Sequence, residues 1–394
     1  MYTISIFDSI SEIDKQQWDM LLFDSVFASY GWLKTAEVTY RGDIRPKYIV
    51  VKEADNFKAA AVCYVFGKSR IVEDFDELLF GRLKPVAARL GISTMPALVC
   101  WPLLSHGEHL MLAKGLDSAE KTTVMRLLLD SVEGEATKHN LPVAFVNVMD
   151  SEPALIKMLH RRGYNKSVHI PLTYIDVGWS SFDEYLTYLG KLSSNSRKTV
   201  KREINRNRRE GTVIERLRDC DECEERLHQL LDMNSYKYNG RPFNFSKGFF
   251  RESRHNLGDH VAFYVSWKRG VLTGVSVVFK RNRMIHLPMI GVDHDETGDD
   301  YTYFYLGFYK PMMDAVLDGT KRFYAGRGLY KTKARRGFQT ANLYIYCKVP
   351  DTVKNMALKS WFFVLSAWNQ LKVRMETRTC GLRSKNRHVP IIGG

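Results

Sequence analysis

The stretch "KLSSNSRKTVKREINRNRREG", residues 191–211, places eight Lys or Arg among twenty-one residues, with only Glu203 and Glu210 against them. Positive charge at that density on one short element suits the holding of anions, phosphates above all. Ser194, Asn195 and Ser196 offer N-caps and Gly211 offers a stop, so the spacing predicts a helix over 197–210. At the helical period Lys198, Arg202, Arg206 and Arg209 form one stripe, and Arg197, Lys201 and Arg208 form a second beside it. Val200 and Ile204 leave only a narrow apolar seam. Like charges four residues apart repel one another. A helix shaped by folding alone would intersperse Glu with Lys; a solvated helix without a ligand is the alternative.

Other clusters carry weaker signals. Asp293, His294, Asp295 and Glu296 follow a predicted central strand, and strand ends in α/β sheets are common ligand sites. They are candidate bases, against a solvated acidic loop. "MNSYKYNGRPFNFS" (233–246) mixes Tyr236, Tyr238 and Phe243 with Arg241, residues that could enclose an acceptor or stack on a nucleobase, or simply pack as a loop. Cys220 and Cys223 form a lone C-x-x-C without two further ligands at matching spacing, so no metal is expected. His106 and His109 in "SHGEHL" lack a third ligand and read as a polar loop. No G-x-S-x-G elbow, H-E-x-x-H or Walker loop is present.

The elements that must position these groups belong to a long chain. Its 394 residues exceed one compact core, which makes two domains the expectation. Apolar content of 45% and charged content of 26% are those of a globular protein. No apolar run reaches the ~18 residues of a membrane-spanning helix, so no integral membrane segment is expected. The start, "MYTISIFDSISEIDKQQW", lacks a basic and apolar signal sequence. Six scattered cysteines suit a reduced compartment, and a cytoplasmic location is expected. The net charge of +14 favours a polyanionic partner.

Two segments share a plan. "IVVKEADNFKAAAVCYVFGKSR" (49–70) and "FYVSWKRGVLTGVSVVFKRNR" (263–283) each read as a hairpin whose second strand opens on small residues, Ala59–Ala61 and Gly274. The match suggests a duplicated unit. In the first, a helix (118–140), a strand (141–148), a short helix (152–163) and a strand (169–177) follow. In the second, the basic segment, a helix (221–238), the hairpin, a strand (284–292) and an aromatic helix (301–319) precede two strands, "KRFYAGRG" and "NLYIYCKV". The predicted organisation is 1–170, 171–350, and a C-terminal helix and tail over 351–394, in the α/β class with mixed sheets flanked by helices.

In this order the motifs resemble a double-domain GNAT acyltransferase, most of all the Fem-type (FemAB-like) branch and related N-acyltransferases. "ALIKMLHRRGY" (154–164) looks like the end of a GNAT domain. The basic segment is similar to the helix opening the second domain in that branch. "YLGFYKPMMDAVLDGTKRFYAGRGLYKTKARRGFQTANLYIY" (305–346) follows its closing pattern of aromatic helix, strand, Gly-x-Gly, Lys and Arg-Gly-Phe. There are departures: "YTYFYLGFY" lacks the His and Glu that relatives tend to carry there, and Tyr330 stands where they have His. The pyrophosphate-binding loop of acetyl-CoA users is also missing; "VDHDETGDDYTYF" (292–304) is acidic at the equivalent place and would repel phosphate.

The resemblance implies acyl or aminoacyl transfer to an amine or hydroxyl of a small metabolite or cell-wall precursor. Aminoacyl-tRNA is the implied co-substrate, acyl-CoA or a carrier-bound acyl group the alternative, and a non-catalytic RNA-binding protein the rival from another class. No tightly bound cofactor is implied. Such a reaction needs a placed, neutral amine and a cation for the oxyanion. Lys331 and Lys333 are the candidates for that cation, and Asp293 and Asp295 for acid–base work. Arg197, Lys198, Lys201, Arg202, Arg206 and Arg209 with Arg335 and Arg336 are expected to hold the donor's phosphates. Tyr236, Tyr238, Arg241, Tyr305 and Tyr330 are expected on the acceptor side.

Overall fold

The computed structural model describes residues 1–67, 75–89, 93–217 and 220–378. The chain divides into two compact units. Among the described residues the first comprises Met1–Ile170 and Asn342–Leu371, the second Pro171–Ala341 and Lys372–Arg378.

Among the described residues the first half forms β1 (Tyr2–Phe7), β2 (Ile44–Glu53), β3 (Asn56–Phe66), β4 (Ala97–Cys100), β5 (Leu110–Leu112), β6 (Val143–Met149) and β7 (Asn165–Asp176). The second half supplies β8 (Val213–Leu217), β9 (Val261–Lys268), β10 (Val271–Arg281), β11 (Met284–Val292), β12 (Arg322–Arg327) and β13 (Gln339–Lys348). In the first unit the order is β1-β2-β3-β4-β6-β13, antiparallel except for the parallel pair β4 and β6, with β5 on β3. In the second the order is β8-β9-β10-β11-β12-β7, antiparallel except for the parallel pair β11 and β12. One plan is thus built twice.

The expected duplication of hairpins is present as β2–β3 and β9–β10; the basic end of the first, Lys68–Arg70, lies outside the described residues. The β9–β10 turn needs only two residues because Arg269 and Gly270 both take positive φ, the geometry that matches strand twist. Gly274 in β10 is required: a Cβ there would lie 2.6 Å from Ser266 Oγ and 2.7 Å from Leu306 Cδ1.

One expectation is corrected. "NLYIYCKV" does not close the second unit; as β13 it pairs with β6 of the first, Leu343 opposite Met149 through Lys348 opposite Val143. The sixth strand of the second unit is instead β7, which pairs with β12. Over Leu343–Cys347 strand β13 is apolar on both faces, so its patterning fits either sheet.

The helix Thr352–Arg378 packs through Leu358 and Phe362. Ser366 Oγ accepts the N–H of Val168 at 2.8 Å and Asn369 Nδ2 donates to the Val168 carbonyl at 2.9 Å, which satisfies both backbone groups of a β7 residue. Among the described residues no helix is long and apolar enough to cross a membrane.

Candidate functional site

The basic segment is a helix over Ser194–Arg209, three residues longer at its start than expected. Ser196, Val200, Glu203, Ile204 and Asn207 are buried, a stripe at helical spacing. Arg197, Lys198, Lys201, Arg202, Arg206 and Arg209 are exposed. The seam is thus wider than Val200 and Ile204 alone, because three polar residues, Ser196, Glu203 and Asn207, extend it. Asn207 Nδ2 donates to Thr302 Oγ1 at 3.0 Å and to the Asp300 carbonyl at 3.2 Å. Asp300 in turn accepts from Thr212 Oγ1 and Lys268 Nζ, so the end of the helix is fixed to β9 and to the start of the aromatic helix.

Glu203 makes the decisive contact. Its Oε2 accepts from Arg336 Nη2 at 2.6 Å and from the Tyr309 hydroxyl. Arg336 Nε donates to Tyr309 Oη at 2.9 Å, and Nη1 to the Thr332 carbonyl at 2.9 Å. The guanidinium also lies 4.1 Å from the centroid of the Phe304 ring, a cation–π contact. Both ends of the ion pair are buried, Glu203 at 5% exposure and Arg336 at 3%. Burial and the Glu203 charge push the Tyr309 hydroxyl far up, so it stays protonated and donates. Tyr309 reaches this position from a π-helical turn, Tyr305–Tyr309, inside the aromatic helix. Such turns interrupt helices most often at functional sites.

Beside this node opens a cavity of about 350 Å³. The basic helix contributes Asn195, Thr199 and Arg202, the aromatic helix Phe304, and the segment after β12 Thr332 and Arg335, with Glu203 and Arg336 also in the lining. The structure therefore brings together Arg202, Arg335 and Arg336 from the expected donor-binding set. Arg336 differs from the other two: all three of its nitrogens are engaged, which makes it a strut of the site. Arg335 is exposed, and the rest of the basic face continues outward along the helix.

The two lysines separate. They sit on a short helix, Tyr330–Ala334, entered through a Leu329 of positive φ. Lys331 is exposed next to the cavity-lining Thr332. Lys333 turns inward and donates to the carbonyls of Ala325 (2.6 Å) and Arg327 (3.1 Å). Burial pushes its ammonium down to about 7. Lys333 therefore fixes the end of β12, and neither lysine is among the residues lining the cavity.

Asp293 has other partners. It caps the short helix His294–Thr297 and pairs with Arg226 Nη2 at 2.7 Å. Burial raises its carboxyl, but the Arg226 contact and backbone N–H groups outweigh that and hold it below the usual range. An ionised, fully engaged carboxylate is a poor base. Asp295 is exposed and gives only its N–H to Asp293. Tyr330 is buried and its hydroxyl donates to the Pro171 carbonyl at 2.8 Å. Tyr305 is half-buried in the π turn. Tyr236 and Tyr238 are exposed on the helix Glu224–Asn239, and Arg241 follows it half-buried. None of these four lines the cavity.

In the first unit His109 lies in the loop before β5 but does not face solvent. It is fully buried, with Nδ1 on Glu152 Oε1 at 2.9 Å and Nε2 on the Val146 carbonyl at 2.7 Å. Both partners only accept, so both nitrogens carry protons and the ring is an imidazolium. Burial lowers its pKa, the Glu152 carboxylate raises it, and the net shift is upward; Glu152 shifts down for the reciprocal reason. Among the described residues no cluster of three or more His, Cys, Asp or Glu could hold a metal.

Sequence reasoning missed Glu203 as a site residue. The signal was present: it is an acid on the apolar seam of a helix otherwise crowded with cations. Asp300 and Phe304 gave no comparable signal, since both were read within an acidic or aromatic run.

A family model for FemAB-like proteins, described as peptidoglycan biosynthesis/recognition, matches residues 9–377, and the chain belongs to that family. The double-domain Fem-type recognition made from the motifs thus holds over nearly the whole chain. Among solved structures it is similar to the C-terminal domain of a putative lysylphosphatidylglycerol synthetase from Agrobacterium fabrum, at 14% identity and TM-score 0.55 over 91% of this chain and 98% of that one. It is also similar to FemX, at 10% identity and TM-score 0.55 over 85% and 96%. L-PGS from Bacillus licheniformis matches at 14% identity and TM-score 0.50 over 84% and 95%. At these identities the likeness is one of fold. A search of curated protein sequences finds no match.

Proposed function

We propose that this chain is an acyltransferase that takes an aminoacyl group from aminoacyl-tRNA and passes it to an amine, or a hydroxyl, of a small acceptor such as a cell-wall precursor. The observation that carries the reading is the cavity of the second unit, where Arg202 and Arg335 meet at the inner end of an exposed cationic face. A long polyanion such as tRNA would lie along that face, while its esterified end enters the cavity. The family's description supports a peptidoglycan precursor as acceptor. A neighbour named as a putative lysylphosphatidylglycerol synthetase supports an aminoacyl group as cargo.

In such a transfer the acceptor nitrogen attacks the ester carbonyl carbon. A C–N bond forms, the C–O bond to the ribose breaks, and the proton lost by the amine ends on the ribose oxygen. The ester is already activated, so the chain's work is placement and charge. Arg202 and Arg335 hold phosphate, Arg336 and Glu203 keep the two arginine-bearing segments in register, and Lys331 is the cation left to meet the oxyanion.

The test is a mixing experiment with tRNA carrying a labelled amino acid, acyl-CoA, and a pool of peptidoglycan precursors. Loss of label from tRNA into a precursor is the expected result, abolished or strongly slowed by Arg202→Gln with Arg335→Gln. Consumption of acyl-CoA alone would move the donor to a thioester of the same reaction class. Binding of tRNA with no consumption of either donor would leave a non-catalytic RNA-binding protein.

A further inference from the structure

Among the described residues the C-terminal helix packs one of its two apolar sides. Leu358, Phe362 and Asn369 face inward. On the opposite side Val353, Met356, Val364 and Leu371 stand in solvent, with Phe363 exposed at 78%, Trp368 at 66% and Met375 at 66%. At the helical period these residues form one stripe, which runs for about 33 Å from Val353 to Met375 at 1.5 Å per residue. Monomeric proteins rarely leave so long a continuous apolar surface uncovered.

We propose that this stripe lies on the surface of a lipid bilayer with anionic headgroups, as a helix in the plane of the interface. Charge selects this occupant. Over Thr352–Arg378 the helix carries Lys354, Lys359, Lys372, Arg374 and Arg378 against a single acid, Glu376, in its last turn. An apolar face with Trp and Phe, bordered by cations, is the pattern of helices that sit at an anionic interface. A second copy fits less well. Antiparallel pairing across a two-fold axis would bring Lys354 and Lys359 beside Lys372 and Arg374 of the other copy, and parallel pairing would set each cation against itself. The chain's own residues 379–394 also bring Arg383, Lys385 and Arg387 without an acid, and would set like charge against like. Binding at the surface leaves the donor reading of the second unit untouched, and its test needs no activity.

The full-length protein is floated with vesicles of phosphatidylcholine alone and with vesicles holding about one-third phosphatidylglycerol, fractions chosen to span a neutral and an anionic surface. The protein is expected to rise with the anionic vesicles and much less with the neutral ones. Phe363→Ser with Trp368→Ser removes two exposed rings and should leave the melting temperature unchanged, while lowering partitioning more than about tenfold. Lys354→Gln, Lys359→Gln and Lys372→Gln together should erase the preference for anionic lipid. Failure of the native protein to float overturns the proposal. So does equal flotation of the Ser variant, because the cations of the second unit would then explain the binding. A dimer in solution that the Ser variant splits, without flotation of the native chain, assigns the stripe to a second copy instead.

Discussion

Each unit buries an ion pair under a sheet of the same strand order, and the two pairs differ in what they face. In the first unit His109 and Glu152 are closed in by backbone: Glu152 also takes the N–H groups of His109 and Met149, and His109 the carbonyl of Val146. In the second, Glu203 and Arg336 line an open cavity between two further arginines. The first pair holds a loop against a strand. The second holds two cation-bearing segments at a fixed separation beside a space a ligand can enter. The duplicated scaffold thus does not imply a duplicated site; the chemistry depends on which side of the buried pair is left open.

The sharpest way to break this comparison is to remove one member of the second pair. Arg336→Met leaves the Glu203 carboxylate buried, a change that costs about 3–5 kcal/mol in comparable cases. Denaturant unfolding should show that loss, and Glu203→Met added to Arg336→Met should restore more than half of it. A single variant as stable as the native chain would mean that Glu203 is solvated and the strut is not needed.

Within the second unit the two lysines offer a narrower contrast. Lys331→Met should slow single-turnover transfer on the order of 10²-fold at saturating donor, as loss of one oxyanion donor does, with little effect on stability. Lys333→Met should instead lower stability, since two carbonyls lose their partner. Equal single-turnover rates for native and Lys331→Met would remove the catalytic assignment and leave that residue a phosphate contact.

For the first pair the difference shows in pH. His109 has a folded pKa above its ordinary value, so its contribution is complete below about 6.5 and is lost as pH rises through the folded value. Glu152 has a lowered one, so its contribution is present above about 4.5 and is lost as pH falls through the folded value. The pair therefore stabilises most between about pH 4.5 and 6.5. Glu152→Gln should be most destabilising in that window and progressively less so above it, as a neutral imidazole needs no carboxylate. A destabilisation that grows with pH would show that His109 is neutral in the native protein.

Much of this was legible in the sequence, for physical reasons that differ by region. The paired hairpins were readable because alternation and a two-residue turn are local. The basic helix was readable because charge and period 3.6 coincide over four turns. Strand β13 was not, because nothing local tells a strand buried on both faces which sheet it will enter. The outward Lys331 and the inward Lys333 were likewise inseparable: the two carbonyls that capture Lys333 come from β12, and their direction is set by Gly326 and Gly328 at positive φ. Glu203 was counted as a counter-charge because its partner lies 133 residues away.

The smallest expected effect is also the most specific to the comparison. Lys198, Arg202 and Arg206 lie on the exposed face of the basic helix. Lys114, Lys121 and Arg126 are equally exposed in the first unit. Both sets change the net charge by three when replaced by Gln, so long-range attraction falls alike. Only the first set should release counterions on binding, if the donor lies along that face. Its loss should flatten the dependence of log affinity on log salt by about one unit per contact, about three in all. The second set should leave the slope within about half a unit. Titration of tRNA at four salt concentrations reads both. Equal slopes for the two triple variants would mean that binding follows the overall charge and not this helix, and the basic segment would then be a solvated face that serves folding alone.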